Sequence, residues 1–269
     1  SKGELKASER PAAAHMLSST EPVAADEPLC RGAAAFRKVH PLQFHRAFLS
    51  EGVRSDGRGL LRARRASVQI GVISTADASA MVHIGETTVL AVVKAHPTLP
   101  SETEPGLGRI AVALELAPTC TSMSSSMARG GAVQRRLERQ QAALCELLQR
   151  TASSGLIALE SLCIEEGRAV WECRCVLHVL EHDGNLTDAC MLAMACAMTR
   201  MTLPTVQLNE EDAIAVVTVT SNVSNPVIVG HLTYGVTFGI LSGHLIIDPT
   251  ADEESLLSTQ FTVLLDPEG

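Results

Sequence analysis

The chain has 269 residues, 46% of them hydrophobic and 19% charged, a globular composition with room for one large domain or two small ones. A formal net charge of −8 excludes a broad nucleic-acid coat, because duplex binders carry a basic surplus. Any RNA contact is then a local basic patch or one shared with a partner. Aromatic residues make up 3%, with a single Trp171 and a single Tyr234, so the core must be aliphatic.

The first 35 residues lack a continuous apolar stretch and carry Glu4, Glu9, Glu21, Asp26 and Glu27, which is unlike a secretory or transit leader. They are rich in Ala, Ser, Pro and Glu and cannot offset the entropy of ordering, so 1–35 is expected to be a flexible tail and 36–269 the domain. A short amphipathic helix should follow Pro41, with Leu42, Phe44, Phe48 and Leu49 available for burial and Gly52 to close it. The runs "ASVQIGVIS", "SAMVHIG" and "TTVLAVVKAH" then predict an antiparallel meander over 66–96. Another strand is expected over 110–118. The segment "GAVQRRLERQQAALCELLQR" is helical in composition, with Val133, Leu137, Leu144, Leu147 and Leu148 striped opposite Arg135, Arg136 and Arg139.

The clearest strand signal is "AVWECRCVLHVLE", in which Trp171, Cys173, Cys175, Leu177 and Val179 alternate with polar positions. The turn Asp183-Gly184-Asn185 ends it. A helix over 186–201 follows, apolar all round and therefore buried, with Pro204 expected to stop it. Its run 189–198 is too short to span a membrane. Four or five more strands are expected over 213–265. Two loosely similar strand-then-helix halves, without a solenoid repeat, make an α+β fold with mixed sheets and internal helices. Eight cysteines without framework spacing read as reduced thiols of an intracellular chain.

Several clusters invite chemistry. Asp183 and Asp188 flank a turn where strand meets helix, a place for a metal or an acid/base pair. They serve equally as turn and helix-start residues, Asp188 accepting orphan backbone N–H groups and complementing the dipole. Cys173, Cys175, His178 and His182 suggest zinc, but alternation along a strand points the thiols away from the imidazoles. A closed site needs convergent donors, so buried thiols and no metal are expected. Ser122, Ser124, Ser125 and Ser126 read as a surface loop. Arg129, Arg135, Arg136 and Arg139 form a basic cluster suited to phosphate, or else a solvated helix face. In "EGVRSDGRG", Arg54 and Arg58 are expected to pair with Asp56.

The ordered strings "EGVRSDGRGL", "GVISTADASAMVHIGETTVLAVVKA", "LEHDGNLTDACMLAMACA" and "LIIDPTADEE" resemble the RNase PH-like ring subunits of the eukaryotic RNA exosome, over 41–269. The resemblance implies an α+β RNase PH-like domain with two β-α-β halves, assembled with other such subunits into a hetero-hexameric ring. It further implies cap subunits with RNA-binding domains, a separate catalytic 3′-5′ exoribonuclease, single-stranded RNA in the channel, no cofactor and no membrane. Nucleus, nucleolus and cytoplasm are the implied compartments. Phosphorolytic members hold the attacking phosphate with a Gly-Thr-Arg set after the Asp-Gly turn. Here that stretch is Asn185-Leu186-Thr187, with no arginine. They also carry two aspartates before the last hairpin, whereas "NPVIVGHLTYGVTFG" has no carboxylate and the matching positions fall near Pro226 and His231.

The implied role is therefore a non-catalytic scaffold in RNA processing and decay, with Arg129, Arg135 and Arg136 facing RNA and with Asp183 and Asp188 structural. An active phosphorolytic 3′-5′ exoribonuclease and a stand-alone RNA-binding domain are the alternatives. Two departures stand out. The loop "TSMSSSMARGGAVQRR" replaces a more acidic, proline-bearing one, and "LLDPEG" ends the chain where the family continues into another strand and a terminal helix.

Overall fold

A computed structural model describes residues 35–117, 120, 131–207 and 218–266, without the side chains of 131–137, 205, 207 and 218–225. Most of the tail expected over 1–35 and the serines of the 122–126 loop lie outside these residues. The chain divides into two compact units, Ser1–Phe44 and His45–Gly269.

Helix α1 (Pro41–Leu49) begins on a proline, whose missing N–H costs nothing in a first turn. It buries His45 and Leu49, while Phe48, expected inside, stays 38% exposed. Gly52, at φ 72°, turns the chain away. Strands β1 (Ala66–Ile70), β2 (Ala78–Ile84) and β3 (Thr87–Thr98) form the expected meander. β2 buries Ala78, Ala80, Val82 and Ile84 at every second position, whereas β1 is a sheet edge exposed along its whole length.

Strand β4 (Arg109–Leu116) leads through helix α2 (Gly131–Thr151), a π turn and a 3-10 turn to β5 (Cys163–Glu165) and β6 (Ala169–Glu181). β6 lies at the centre, antiparallel to β3 and parallel to β4. The six-stranded sheet therefore runs β1-β2-β3-β6-β4, with β5 paired to β6. A parallel pair requires a crossover, and α2 supplies it. Cys173, Cys175, Leu177 and Val179 are fully buried on one face of β6, as their alternation requires.

Helix α3 (Leu186–Met198) packs on β2 and β3 on one side and on strand β9 (Tyr234–Leu241) on the other. Contact on two sides explains its composition: Ala189, Cys190, Ala193, Ala195 and Ala197 allow close approach, and Met191, Met194 and Met198 fill the irregular remainder. Pro204 is not what ends this helix. Arg200 and Met201 donate to carbonyls three residues back, a tightening that closes the helix early. Pro204 lies instead in β7 (Thr202–Gln207), where the ladder to β8 (Thr218–Pro226) shifts register after it. The last layer is a three-stranded antiparallel sheet, β10-β9-β11. It is built from β9 (Tyr234–Leu241), β10 (His244–Ile247) and β11 (Thr259–Leu265), with the short helix α4 (Ala251–Glu254) before β11.

Gly184, at the β6–α3 turn, has φ 80°, and a Cβ there would lie 2.5 Å from Ala251 N. Gly57 has φ 83° with open space around it. Gly57→Ala should cost about 1–2 kcal/mol, the left-handed penalty alone. Gly184→Ala should cost at least ~3 kcal/mol because backbone must also move. Urea unfolding of the two variants checks the difference.

Candidate functional site

Three short segments converge where α3 begins. Residues 54–64 bring Arg54, Arg58 and Arg64; the β6–α3 turn brings Asp183, Asn185 and Asp188; the stretch after β10 brings Asp248, Glu253 and Glu254. Arg54 is 1% exposed and does not pair with Asp56. It forms a two-pronged ion pair with Glu253, Nε to Oε1 at 2.9 Å, and donates to the carbonyls of Ile247 and Asp248. A guanidinium taken out of water needs this many acceptors. Arg58 does hold Asp56, at 2.6 Å, and also reaches Asp248 at 3.0 Å.

Arg64 grips Asp248 with Nε at 2.9 Å and Nη2 at 2.8 Å, the bidentate geometry that suits a planar fork. Its Nη1 donates to the Asp183 carbonyl at 2.7 Å and stands 3.3 Å from that residue's carboxylate. Asn185, left-handed at φ 53°, donates both Nδ2 hydrogens, one to Asp188 and one to Asp248, each at 2.7 Å.

Asp188 does not cap its own helix. It accepts from Thr237 N at 2.9 Å and Thr237 Oγ1 at 2.7 Å, because Thr237 is fully buried and must find acceptors. Asp183 accepts from the backbone of Ala251, so it serves the first turn of α4. Burial pushes Asp248 up, but hydrogen bonds from Arg64 outweigh it and hold the carboxyl at about 2. Glu253 is lowered in the same way by Arg54, against its burial. Asp183 and Glu254 are raised by burial, Arg64 offsetting only part of it.

Beside this network lies a cavity of about 530 Å³ between one face of α2, the start of α3, α4 and β11. Thr187 lines it with Gln140, Gln141, His182, Glu254 and Gln260, and among the described residues no lysine or arginine does. Burial lowers His182, so that imidazole is neutral at pH 7. Pro226 and His231 are not here. Pro226 pairs with Thr202, past the other end of α3, and His231 donates its N–H to Gly155 and faces Asp266 at 3.4 Å. The 13-residue helix, roughly 20 Å long, separates Thr187 from Pro226, so the three expected positions do not share one cleft.

Arg129 lies outside the described residues, and Arg135 and Arg136 open α2 with side chains outside them. Cys173 and Cys175 face the core with thiols pushed up to about 12 by burial, while His178 points the other way, 3.3 Å from Glu115.

Residues 62–204 match domain 1 of the 3′ exoribonuclease family, of the RNase PH type, and 231–269 match its domain 2. The chain is 33% identical over 222 residues to exosome complex component Rrp42 of Methanocella arvoryzae, covering 82% of this chain and 78% of that one. It is 33% identical over 230 residues to exosome complex component rrp43 of Schizosaccharomyces pombe, covering 86% and 82%. Among solved structures, an archaeal exosome core superposes with a TM-score of 0.65 at 27% identity, over 90% of this chain and 84% of that one. The Archaeoglobus fulgidus exosome with RNA bound to the active site gives 0.68 at 28% identity, over 88% and 85%. The chain belongs to the 3′ exoribonuclease family and has its α+β fold. Within that family it is a homologue of the Rrp42 and Rrp43 components of exosome cores.

The buried lattice is the part hidden from sequence reading. Arg64, the hub, sits in "RGLLRARR", a string that looks like an exposed basic run. Arg64→Met should destabilise the fold by about 3–5 kcal/mol, since it leaves Asp248 buried without its main partner. Asp248 is depressed from 3.8 to about 2. The stability it adds is therefore present above about pH 4 and lost as pH falls toward 2. Asp183 and Glu254, being raised, act in the opposite sense at higher pH. Urea midpoints between pH 2 and 7 should show the acid loss in the wild type and a much shallower one in Arg64→Met.

Proposed function

We propose that the chain is a non-catalytic structural subunit of an exosome core ring, helping to form a channel that guides single-stranded RNA to a separate 3′-5′ exoribonuclease. One observation carries this reading: among the described residues, the lining of the cavity beside Thr187 offers no lysine or arginine. Phosphorolysis is mainly the holding of phosphate and the stabilisation of charge on the leaving 3′ oxygen. Arg54, Arg58 and Arg64, in the network beside the cavity, are committed to Glu253, Asp56, Asp183 and Asp248. An anion entering the cavity would meet Glu254 instead.

Assembly is supported by the outer face of the β10-β9-β11 sheet. There Tyr234, Leu245, Phe261, Val263 and Leu265 are between 37% and 47% exposed, and such patches mark contact surfaces. Other RNase PH-like subunits, cap subunits and the nuclease are the proposed partners, in nucleus, nucleolus and cytoplasm. Arg129, Arg135 and Arg136 are the proposed RNA contacts, since a local positive groove suffices for sequence-independent binding.

The purified chain, given RNA and inorganic phosphate, should release no nucleoside diphosphate. Release above a no-enzyme control would establish the exoribonuclease reading instead. Thr187→Arg should restore none either, because Pro226 lies past the far end of α3 and His231 is bonded to Gly155. Affinity capture should recover other ring subunits. A well-behaved RNA-binding monomer without partners would favour the stand-alone module.

A further inference from the structure

The two edges of the six-stranded sheet are finished differently. At the β4 edge, Gln149 of α2 donates from Nε2 to the Ile110 carbonyl at 2.7 Å and accepts from Val112 N at 2.8 Å. Those are the two bonds that one residue of a parallel strand would make opposite Ala111. One turn earlier in α2, Cys145 donates its thiol to the Val112 carbonyl at 3.5 Å. Side chains of α2 thus stand in for a further strand, and this edge is closed.

β1, at the opposite edge, has no such cover. It pairs with β2 alone, in an unbroken register, and no group among the described residues bonds its outer side. It also lacks the usual guards, having no charge, proline or bulge. Val68 and Ile70 stand opposite the buried Val82 and Ala80, on the core side of the sheet. They are nonetheless 39% and 50% exposed, because α3 is centred on β2 and β3. At the start of β1 this side opens into a cavity of about 290 Å³, lined by Ala66, Ile84, Leu192, Val236 and Ile247. The charged groups in its wall, Arg64, Asp188 and Asp248, are spent in the network already described. Just before β1, Arg62 and Arg65 are exposed and enter no ion pair among the described residues.

We infer that β1 is a docking edge for an extended segment of another protein, added antiparallel as a further strand. The segment carries apolar side chains at alternate positions, a bulky one opposite Ala66, and a carboxylate opposite Arg65. Unpaired backbone groups call for a strand rather than a helix. Val68 and Ile70 call for apolar neighbours on the core side, and Ser67 and Gln69 for polar ones on the other. Ala66 is small and leaves the cavity free for the visitor's side chain. Antiparallel pairing is the more stable kind, and it sets the acid at the C-terminal end of the segment, over the unpaired arginines. A second copy of this chain fits less well. In every antiparallel self-pairing centred within β1, the residue opposite Arg65 falls in 67–75, a stretch without a carboxylate. The inference goes beyond the scaffold reading and does not depend on it.

The test is isothermal titration of the purified chain with the peptide acetyl-Val-Thr-Val-Thr-Phe-Glu-amide, whose two valines and phenylalanine fall opposite Ile70, Val68 and Ala66. Saturable binding is expected. Two further copies are N-methylated at alternate backbone amides, one on each edge of the peptide. The copy methylated on the pairing edge should bind at least about tenfold weaker and the other should not. A copy ending in lysine instead of glutamate should bind roughly threefold weaker. Val68→Lys, which places a guard at an exposed position, should weaken the parent peptide about tenfold or more. Arg65→Glu should invert the preference, taking the lysine-ended peptide over the glutamate-ended one. That readout leaves the backbone edge intact and remains available if Val68→Lys fails to fold.

No saturable binding, equal binding of the two N-methylated copies, or no inversion of preference in Arg65→Glu would overturn the inference. Self-association of the wild-type chain in sedimentation, abolished by Val68→Lys, would assign the edge to a second copy and overturn it as well. None of these outcomes bears on the scaffold reading, which stands or falls with phosphate-dependent release of nucleoside diphosphate.

Discussion

The bidentate pair between Arg64 and Asp248 is the contact on which the rest of the structure hangs. Asp248 is 2% exposed and receives Arg58, Arg64 and Asn185 together. Asn185 in turn holds Asp188, which holds Thr237 of β9. One carboxylate thus ties the segment before β1, the turn before α3 and the last sheet into a single unit. Buried charges of this kind contribute little net stability against well-packed apolar groups. Their effect is on arrangement: with this many partners satisfied at once, few alternative packings leave no charge stranded.

That constraint also bears on the proposed loss of phosphorolysis. A guanidinium can grip a structural carboxylate or a mobile phosphate, not both at full strength. Here Arg54 and Arg64 serve Glu253, Asp183 and Asp248, and among the described residues the adjoining cavity has amides, hydroxyls, His182 and one acid. Architecture persists because it depends on β6, α3 and β9 packing through Ala, Cys and Met. On the scaffold reading anion chemistry does not, because it depends on one or two cations at the rim.

Elements with a strong period are legible in the sequence, whereas pairings between distant segments are not. β6 is legible because odd positions from Trp171 to Val179 are apolar, and α3 because a helix with no polar face has nowhere to go but inside. The end of α3 is misplaced by its sequence because Pro204 is the louder signal, although the chain has already tightened at Arg200 and Met201. Spacing assigns Arg54 to Asp56, two residues away, when its partner Glu253 lies 199 residues on. Local spacing cannot encode a pair of that kind. Asp188 likewise looks like a helix cap, and its true partner on β9 emerges only once the two layers are stacked. The resemblance groups Thr187, Pro226 and His231, and only the length of α3 reveals that Thr187 and Pro226 stand apart.

The long reach of these ion pairs has a consequence for synthesis. Arg54 and Arg64 leave the ribosome well before Asp248 and Glu253 exist, and contacts of such sequence separation are slow to form. Until then Arg54 and Arg64 wait, solvated and without Glu253 and Asp248, on a nascent chain whose mature form is acidic. Closure of the lattice must be a late event, and the half-made chain in that interval presents to its surroundings a charge pattern that the finished protein conceals.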